Sequence, residues 1–431
     1  MSTGLRKSLK PERTKAVDYR TRIVDDLDAV AAADWNALAD AAVGDGAGGM
    51  LQPFVRHEFL AALADTGCTG EEAGWLPRHL LIDDAGGRLR AAVPLYLKTH
   101  SWGEYVFDWA WADAYRRHGL RYYPKLLSAI PFTPVAGPRL LAADEASRAA
   151  AADALLGLAR SSGLSSLHVL FPTASEAALL ERAGMMARTG VQFHWHNRGW
   201  SGFDEFLAEL AQPKRKKIRA ERRKVAEAGV RIERRLGTDI RESDWAFFFR
   251  CYESTYEAHG GMPYLNLAFF ERLGSSMPEH LAMVLAELDG QPIAASLLML
   301  DGQRVYGRYW GAIAHVPCLH FELCYYQAIE LALELGLPII EGGAQGEHKM
   351  ARGFEAVATR SLHWLAEPAF ADAVDRFLLR ETGALDAYLG ELDERSPFRR
   401  AQPAALPAER PGYARGFSDG PQKCGFEDAD S

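Results

Sequence analysis

Apolar and polar positions along the C-terminal half of the chain follow the spacing of strands. Apolar runs at 281–288, 291–300 and 303–310 are separated by the pairs Asp289-Gly290 and Asp301-Gly302. An Asp-Gly pair between two strand-like runs is a strong hairpin signal. We therefore predict three antiparallel strands in a meander.

A helix and two shorter elements follow this meander. Residues 321–335 are rich in good helix formers and are followed by Gly336, a typical helix stop. The pattern continues with a short apolar run at 338–341, a glycine-rich loop, a brief helix ending near Gly353 and a strand at 359–364. The predicted order is β-β-β-α-β-α-β.

The N-terminal half repeats this order more weakly. We predict strands at 79–82, 89–97, 104–111 and 166–171, and a helix at 149–160. Residues 182–195 align without a gap with residues 351–364, so that Gly184 falls on Gly353 and the His-Trp pairs coincide. Agreement of element order with residue identity indicates a tandem duplication.

Domain boundaries are predicted from this repeat. The first domain spans 21–200 and is expected to be the scaffold. The second spans 201–385 and carries more polar and titratable residues in its loops, which favours it as the reactive domain. We predict mobile ends at 1–20 and, for the most part, at 386–431, because periodic apolar patterning fades there.

Composition excludes several broad classes of protein. The 431 residues include 57 acidic and 49 basic side chains, and the net charge of -8 argues against a surface coated with positive charge for nucleic acid. A hydrophobic content of 48% is that of an ordinary globular protein and excludes global disorder.

Cysteine usage and hydropathy predict a cytoplasmic protein. The five cysteines form neither a disulfide framework nor a CxxC zinc pattern, which fits a reducing compartment. We expect no secretory signal of the usual kind and no transmembrane segment, because no sufficiently long apolar stretch occurs.

One strongly basic segment departs from the overall charge. Between Pro213 and Arg235 lie eleven basic and three acidic residues, a local net charge of +8. Ile218 and Val225 form a thin apolar stripe on a predicted basic helix at 213–228. Such a helix can hold phosphates of a cofactor or of RNA, or lie on anionic lipid. The alternative is a solvated face that pairs with acidic residues elsewhere.

The strongest candidate site is the loop that begins at residue 341. It reads Glu341-Gly342-Gly343-Ala344-Gln345-Gly346-Glu347-His348-Lys349. Ligands of open α/β sheets bind beyond the carboxyl ends of strands, and glycines let the backbone approach them closely. The loop also supplies donors, acceptors and candidate general bases. The alternative is a solvated turn without chemistry.

A second candidate region joins the end of the meander to the following helix. Arg308, Tyr309 and Trp310 end the last strand, and residues 318–326 open the helix. This density of charged and aromatic residues can shape a pocket, and a helix start can hold an anion. Core packing of the aromatic side chains is the alternative.

A zinc site is the other alternative for this region, because Cys318, His320, Glu322 and Cys324 alternate. Alternate positions share a face only on a strand, whereas this pattern enters a helix. We therefore predict no metal.

Five segments together resemble a known family. They are residues 103–141, 203–210 with the basic helix after it, 306–311, 319–330 and 341–354. On these segments the chain resembles the predicted N-acyltransferases related to the Fem-type peptidoglycan-bridge aminoacyltransferases. The resemblance extends over roughly residues 21–382.

The resemblance implies a fold and a reaction. The implied fold is α/β (α+β), with two tandem GNAT-like domains that each hold a mixed, mostly antiparallel sheet flanked by helices. The implied reaction moves an acyl or aminoacyl group from acyl-CoA or aminoacyl-tRNA to an amine on a small molecule or cell-wall precursor. No permanently bound cofactor is expected, and acyl-CoA is a candidate co-substrate. Residues 310–323 lack the Gln/Arg-x-x-Gly-x-Gly/Ala signature common in GNAT enzymes, as do Fem-type enzymes, which take aminoacyl-tRNA.

Residue roles follow from the motifs and the resemblance together. The candidate bases are Glu341, Glu347 and His348, and the candidate acids for the leaving group are Tyr309, Tyr325 and Tyr326. Substrate and donor contacts are expected from Arg308, Trp310, His320, Glu322, Gly342, Gly343, Gln345, Lys349, Arg352, Phe354 and, on the basic helix, Arg215, Lys216, Arg219 and Arg222. The alternative function is a non-catalytic GNAT-fold protein that holds RNA or anionic lipid on the basic helix.

Overall fold

Two sheets with helices on both faces make up the computed structural model, which describes residues 18–42, 52–258, 260–343, 347–394 and 397–398. The strands are β1 Tyr19–Val24, β2 Trp75–Pro77, β3 His79–Asp84, β4 Leu89–Val93, β5 Tyr96–Lys98, β6 Lys125–Ser128, β7 Leu141–Ala142, β8 Ser166–Leu170, β9 Met186–His196, β10 Arg231–Leu236, β11 Leu281–Leu288, β12 Gln291–Leu300, β13 Arg304–Ala312, β14 Ile339–Glu341 and β15 Glu355–Leu365.

The helices alternate with these strands along the chain. They are α1 Ala32–Ala42, α2 His57–Asp65, α3 Trp109–Arg117, α4 Glu145–Ser161, α5 Ala174–Arg182, α6 Phe203–Glu209, α7 Gln212–Glu227, α8 Glu242–Glu257, α9 Leu267–Ser276, α10 Leu319–Phe321, α11 Gln327–Glu334 and α12 Pro368–Glu394. A π-helical segment, Glu322–Tyr326, joins α10 to α11, and short 3-10 helices include Glu347–Arg352. No helix within the described ranges is both long and apolar enough to cross a membrane.

The larger sheet runs through both halves of the chain. Its strand order is β10-β11-β12-β13-β14-β9-β15-β8-β6-β5-β2, and a smaller sheet has the order β1-β3-β4-β7. All pairs in the larger sheet are antiparallel except β13 with β14 and β6 with β8. Each half therefore contains one parallel pair whose second strand follows a helix, as expected for a duplicated unit.

The two halves exchange their last strands. β9 ends the first half but pairs with β14, and β15 ends the second half but pairs with β8. β9 and β15 pair with each other at the centre of the sheet. The described residues consequently belong to one compact unit, and the domain boundary after residue 200 stays a prediction.

Backbone conformation supports the predicted duplication. Gly184 and Gly353 have φ of 98° and 91°, and Gly163 and Gly336 have φ of 70° and 66°. Left-handed conformations at matched positions are ones that glycine adopts without steric cost. Both pairs of glycines end helical segments before strands. The repeat predicted from identical residues in the two halves is therefore also a repeat of backbone structure.

The predicted meander is confirmed by β11, β12 and β13. Asp289 and Gly290, at the first turn, have φ of 53° and 75°, as a two-residue hairpin turn requires. Alternate residues of β11 enter different cores: Met283 packs with the cluster that includes α8 and α9, and Val284 packs with the cluster that includes α11. The sheet of the second half is thus covered on both faces.

The strand predicted at 104–111 is wrong. Residues 104–108 form a loop, and α3 begins at Trp109. The reason is tertiary: the buried ammonium of Lys125 binds the carboxylates of Glu104 and Asp108, which holds the loop against β6. At the other end of the chain α12 continues to Glu394, beyond the expected end of the second domain at residue 385.

Candidate functional site

A cavity opens where β13 and β14 separate. The two strands pair in parallel only as far as Tyr306 and Glu341. Beyond Glu341 the backbone turns to β9 instead, because Gly342 N donates to Phe193 O at 2.9 Å and Phe193 N donates to Gly343 O at 3.1 Å. The gap left between β13 and β14 is a cavity of about 180 Å³.

Nine of the twenty predicted site residues line this cavity. They are Arg308, Tyr309, Trp310, His320, Tyr325, Glu341, Gly342, Lys349 and Phe354, and they are joined there by Ser296, Leu297, Leu298, Gly307, Cys324 and Ile340. The two candidate regions of the sequence, the glycine loop and the strand-to-helix junction, therefore form one site.

Glu341 is the buried carboxylate of the cavity. It is 3% exposed, and Arg304 Nη1 donates to its Oε1. Its other oxygen, Oε2, is buried without a hydrogen-bond partner among the described residues. Burial raises the pKa of Glu341 to about 7, while Arg304 and Arg308 act in the opposite direction. This carboxyl can therefore exchange a proton near neutral pH.

Arg304 was missed by the sequence analysis. It also borders a second cavity of about 730 Å³ lined by residues of both halves, and its Nε is buried without a partner in the described part of the chain. The parallel pairing of β13 with β14 explains the ion pair, since Arg304 at the start of β13 lies diagonally opposite Glu341. Strand pairing cannot be read from one sequence, so the ion pair was not predicted.

Lys349 places a second buried cation at the cavity. Its ammonium donates to Gly342 O and lies 3.4 Å from Gly343 O. Burial lowers the pKa of Lys349 to about 8. Gly342 packs closely on β9 and on Phe354, since a Cβ there would lie 2.9 Å from both Phe193 O and a carbon of the Phe354 ring. The expected role of the loop glycines, a close approach to a ligand, stays a prediction.

The helical side of the cavity carries imidazole and phenol groups. Tyr325 Oη and His348 Nε2 are 3.1 Å apart, and the rings of His320 and Trp310 have centroids 5.0 Å apart. Burial lowers the pKa of His320 to about 4 and raises the pKa of Tyr325, so both are neutral at pH 7. Tyr325 lies in the π-helical segment, a local widening that often occurs at functional sites.

A β-bulge aims Arg308 and Tyr309 to the same face of the sheet. Gly307 pairs with Leu298 and Tyr309 with Leu297, so Arg308 is the extra residue of β13. Arg308 Nη2 donates to Phe132 O at 2.9 Å, and the Tyr309 hydroxyl lies 3.3 Å from the same nitrogen. Trp310 points to the opposite face, toward His320. The cavity therefore connects the two faces of the sheet.

Three predicted binding residues, Arg222, Glu322 and Arg352, form ion pairs and do not line the cavity. Arg222 on α7 donates to Glu322 at 3.0 and 3.2 Å and also binds Glu330. Arg352 donates twice to Glu221 of α7, at 2.8 and 2.9 Å. These contacts attach the basic helix to the helices beside the cavity and leave little guanidinium free for a substrate.

The remaining cations of α7 are available to solvent. Lys216 and Arg219 are exposed, and Arg219 has only a long contact of 3.9 Å with exposed Asp204. Arg215 donates to Ala208 O at 3.2 Å on the surface. Lys217 interacts electrostatically with His348, so this exposed basic face begins beside the cavity.

Two predicted residues lie outside the described part. Gln345 belongs to the undescribed residues 344–346, and the side chain of Glu347 is also outside the description. The zinc pattern is dispersed, because Glu322 turns to Arg222 while His320 and Cys324 line the cavity. Over the described ranges no three His, Cys, Asp or Glu side chains are grouped to hold a metal ion.

Comparisons with known proteins identify the family of the chain. The sequence profile of the FemAB-like family, described as peptidoglycan biosynthesis/recognition, matches residues 26–400. No curated protein matches the chain. Similar solved structures include FemX (11% identity over 79% of this chain and 98% of that one, TM-score 0.49). They also include a tandem GNAT protein of the clavulanic acid biosynthesis pathway (13%, 81% and 99%, 0.44) and L-PGS from Bacillus licheniformis (10%, 74% and 96%, 0.46).

Proposed function

Because the chain belongs to the FemAB-like family of peptidoglycan biosynthesis and recognition, we propose that it is an N-acyltransferase. It moves an acyl or aminoacyl group from an activated ester or thioester to an amine. The observation that carries this proposal is Glu341, a buried carboxylate with one unpartnered oxygen and a pKa raised to about 7 at the floor of the cavity. A base with a pKa near the working pH is suited to take a proton from an ammonium group.

Glu341 acts as the general base in the proposed reaction. The acceptor ammonium gives one proton to its free Oε2, directly or through one water. The neutral amine then attacks the donor carbonyl carbon, which forms the C–N bond and moves negative charge onto the carbonyl oxygen. The ion pair with Arg304 holds the carboxylate in place, since Oε1 is committed to that guanidinium.

Lys349 and Tyr325 complete the reaction. The Lys349 ammonium at the cavity stabilises the negative carbonyl oxygen of the intermediate. When the C–O or C–S bond to the donor breaks, the Tyr325 hydroxyl gives its proton to the departing atom, and the nitrogen gives its remaining extra proton to the neutral imidazole of His348. His348, 3.1 Å from the Tyr325 hydroxyl, can return that proton to the tyrosine.

The donor approaches from the side of the basic helix. α7 is attached to the 3-10 helix Glu347–Arg352 through Glu221, and its exposed cations begin beside His348. Both candidate donors, acyl-CoA and aminoacyl-tRNA, carry phosphates that such a face attracts. A melting-temperature shift distinguishes them, because a ligand at about 100 times its Kd stabilises the folded state by about 2.7 kcal/mol.

The test is a transfer assay with both donor classes and a mixture of amine acceptors, with amide products identified by mass spectrometry. We expect an amide product from one donor class, and a rate reduced by about 100-fold or more in Glu341→Gln. The matched control is Glu271→Gln, at an exposed position of α9. Turnover that is equal in Glu341→Gln and wild type contradicts the assignment, and RNA binding without any product supports the non-catalytic alternative.

A further inference from the structure

Four tyrosines form a cluster around Arg308, called here the tyrosine cluster, on the face of the sheet covered by α8 and α9. The rings of Tyr252 and Tyr309 have centroids 5.4 Å apart, and the hydroxyl of Tyr252 donates to that of Tyr256 at 3.3 Å. Tyr264 adds its ring 5.9 Å from Tyr256. Burial raises the pKa of Tyr256 to about 12, so its hydroxyl keeps its proton at neutral pH.

The first half of the chain adds two aromatic residues in left-handed backbone conformations to this cluster. Tyr105 has φ of 61° and Phe132 has φ of 57°. The carbonyl of Phe132 accepts from Arg308, and its ring stacks on Tyr264 with centroids 4.9 Å apart. Bulky residues rarely adopt this conformation, and such backbone strain persists where the surroundings enforce it, often at ligand sites.

A buried ion cluster holds Tyr105 in position. Glu104, directly before Tyr105, and Asp108, three residues after it, both bind the ammonium of Lys125, which is fully buried. The Tyr105 hydroxyl interacts electrostatically with Arg308 and with the neighbouring hydroxyl of Tyr309. The loop 104–108 therefore places its tyrosine against the second half of the chain by ionic contacts within the first half.

Arg308 has a buried N–H group without a hydrogen-bond partner among the described residues. Its Nη2 is bonded to Phe132 O, but its Nε is buried without a partner in the described chain. A guanidinium with a spare N–H, surrounded by phenolic hydroxyls, matches the oxygens of an anion. The adjoining cavity of about 180 Å³ has room for roughly six waters at ~30 Å³ each, which suits one end of an amino acid and is too small for a nucleotide.

We propose that Arg308 and the tyrosine cluster bind a carboxylate of the acceptor, so that the acceptor is an amino acid or peptide with a free carboxylate near its reacting amine. The positions of the cations support this assignment. Arg308 lies on the face of the sheet covered by α8 and α9, whereas the exposed cations of α7, which would bind donor phosphates, lie beside His348 on the other face. Tyr105 makes the first half a contributor to acceptor specificity. This inference rests on the proposed function, because it names the second substrate of the same cavity.

The test measures binding to the full-length protein by calorimetry, without turnover. The probes are L-alanine, L-lysine and glycylglycine, each paired with its C-terminal amide. We expect at least one carboxylate to bind about 10-fold or more tightly than its amide, as for the loss of a charge-assisted hydrogen bond. Arg308→Gln should abolish this preference, and Tyr105→Phe should reduce it several-fold.

Matched controls are Arg272→Gln at an exposed arginine of α9 and Tyr115→Phe at a buried tyrosine outside the cluster, and both should keep the preference. Equal binding of every acid and amide by the wild type, or a preference that survives Arg308→Gln, overturns the proposal. Competitive displacement of the carboxylate probe by pyrophosphate or coenzyme A would show that this anion site binds the donor, and it also overturns the proposal. Intact carboxylate preference without amide formation counts only against the proposed function.

Discussion

The imidazoles of His168 and His363 face each other across β8 and β15, with their Nδ1 atoms 2.7 Å apart. At the related position of the other half, His194 faces Glu341 across β9 and β14. The duplicated sheet therefore contains two equivalent crossings of exchanged strands. One holds a neutral imidazole pair and the other holds the buried carboxylate of the cavity.

The histidine pair predicts a pH dependence of stability. Burial lowers the pKa of His168 far below its usual value and that of His363 to about 3. Between about pH 6.5 and 3 the unfolded chain binds more protons than the folded one, so the free energy of unfolding falls as the pH falls. We expect His363→Leu to flatten this slope in urea titrations at pH 7.5 and 5.5. The control, His315→Leu at an exposed site, should keep it.

The buried Glu341 predicts an acidic limb in the activity profile. Its carboxyl, with a pKa raised to about 7, is a base only when deprotonated. We expect kcat/KM to fall about 10-fold per pH unit below pH 7 and to level off above it. In Arg304→Gln the loss of the positive partner should move this midpoint to higher pH. A wild-type profile that is flat from pH 5 to 8 would rule out Glu341 as the base.

Gly342 is predicted to tolerate no side chain. A Cβ would lie 2.9 Å from Phe193 O and from the Phe354 ring, and the first of these is backbone that cannot move aside. We expect Gly342→Ala to lower the free energy of unfolding by about 1–3 kcal/mol and to reduce turnover. Gly302→Ala is the control, because no atom lies within 4 Å of its added Cβ. Denaturant unfolding of both variants checks the difference.

Lys125 is predicted to carry much of the stability of the first half. Removing its ammonium would leave the carboxylates of Glu104 and Asp108 buried without their cation. We expect Lys125→Met to cost about 3–5 kcal/mol of unfolding free energy. The exposed Lys224→Met should cost little. If the triple variant with Glu104→Gln and Asp108→Asn is no more stable than Lys125→Met, the ionic explanation fails.

Two arginines of the basic helix are predicted to have different roles, Arg222 in stability and Arg219 in binding. Arg222 binds Glu322 and Glu330, so Arg222→Gln should lower the free energy of unfolding by about 1–3 kcal/mol. Arg219 is largely exposed, so Arg219→Gln should leave melting unchanged. If the donor is RNA, Arg219→Gln should reduce the salt dependence of binding by about 0.7 in log–log slope. Equal melting of the two variants would contradict the distinction.

Most of the elements that local patterns predicted are present in the structure. The Asp289-Gly290 turn and the glycine stop at Gly336 formed where their chemistry predicts them. The loop at Glu341 and the junction at Arg308 were both identified as candidate site regions, because glycine, charge and aromatic residues concentrate there. The strand predicted at 104–111 is wrong because the carboxylates of Glu104 and Asp108 bind the ammonium of Lys125, which lies on β6.

The sequence by itself determined the periodicities, the turns, the duplication and the residue types available for chemistry, because these depend on neighbours within a few positions. The tertiary structure decided the exchange of β9 and β15, the ion pair of Arg304 with Glu341 and the contact of the first half with Arg308. These features depend on burial and on pairing between distant segments. Burial also raised the pKa of Glu341, which supports it among the three candidate bases that the sequence had already suggested.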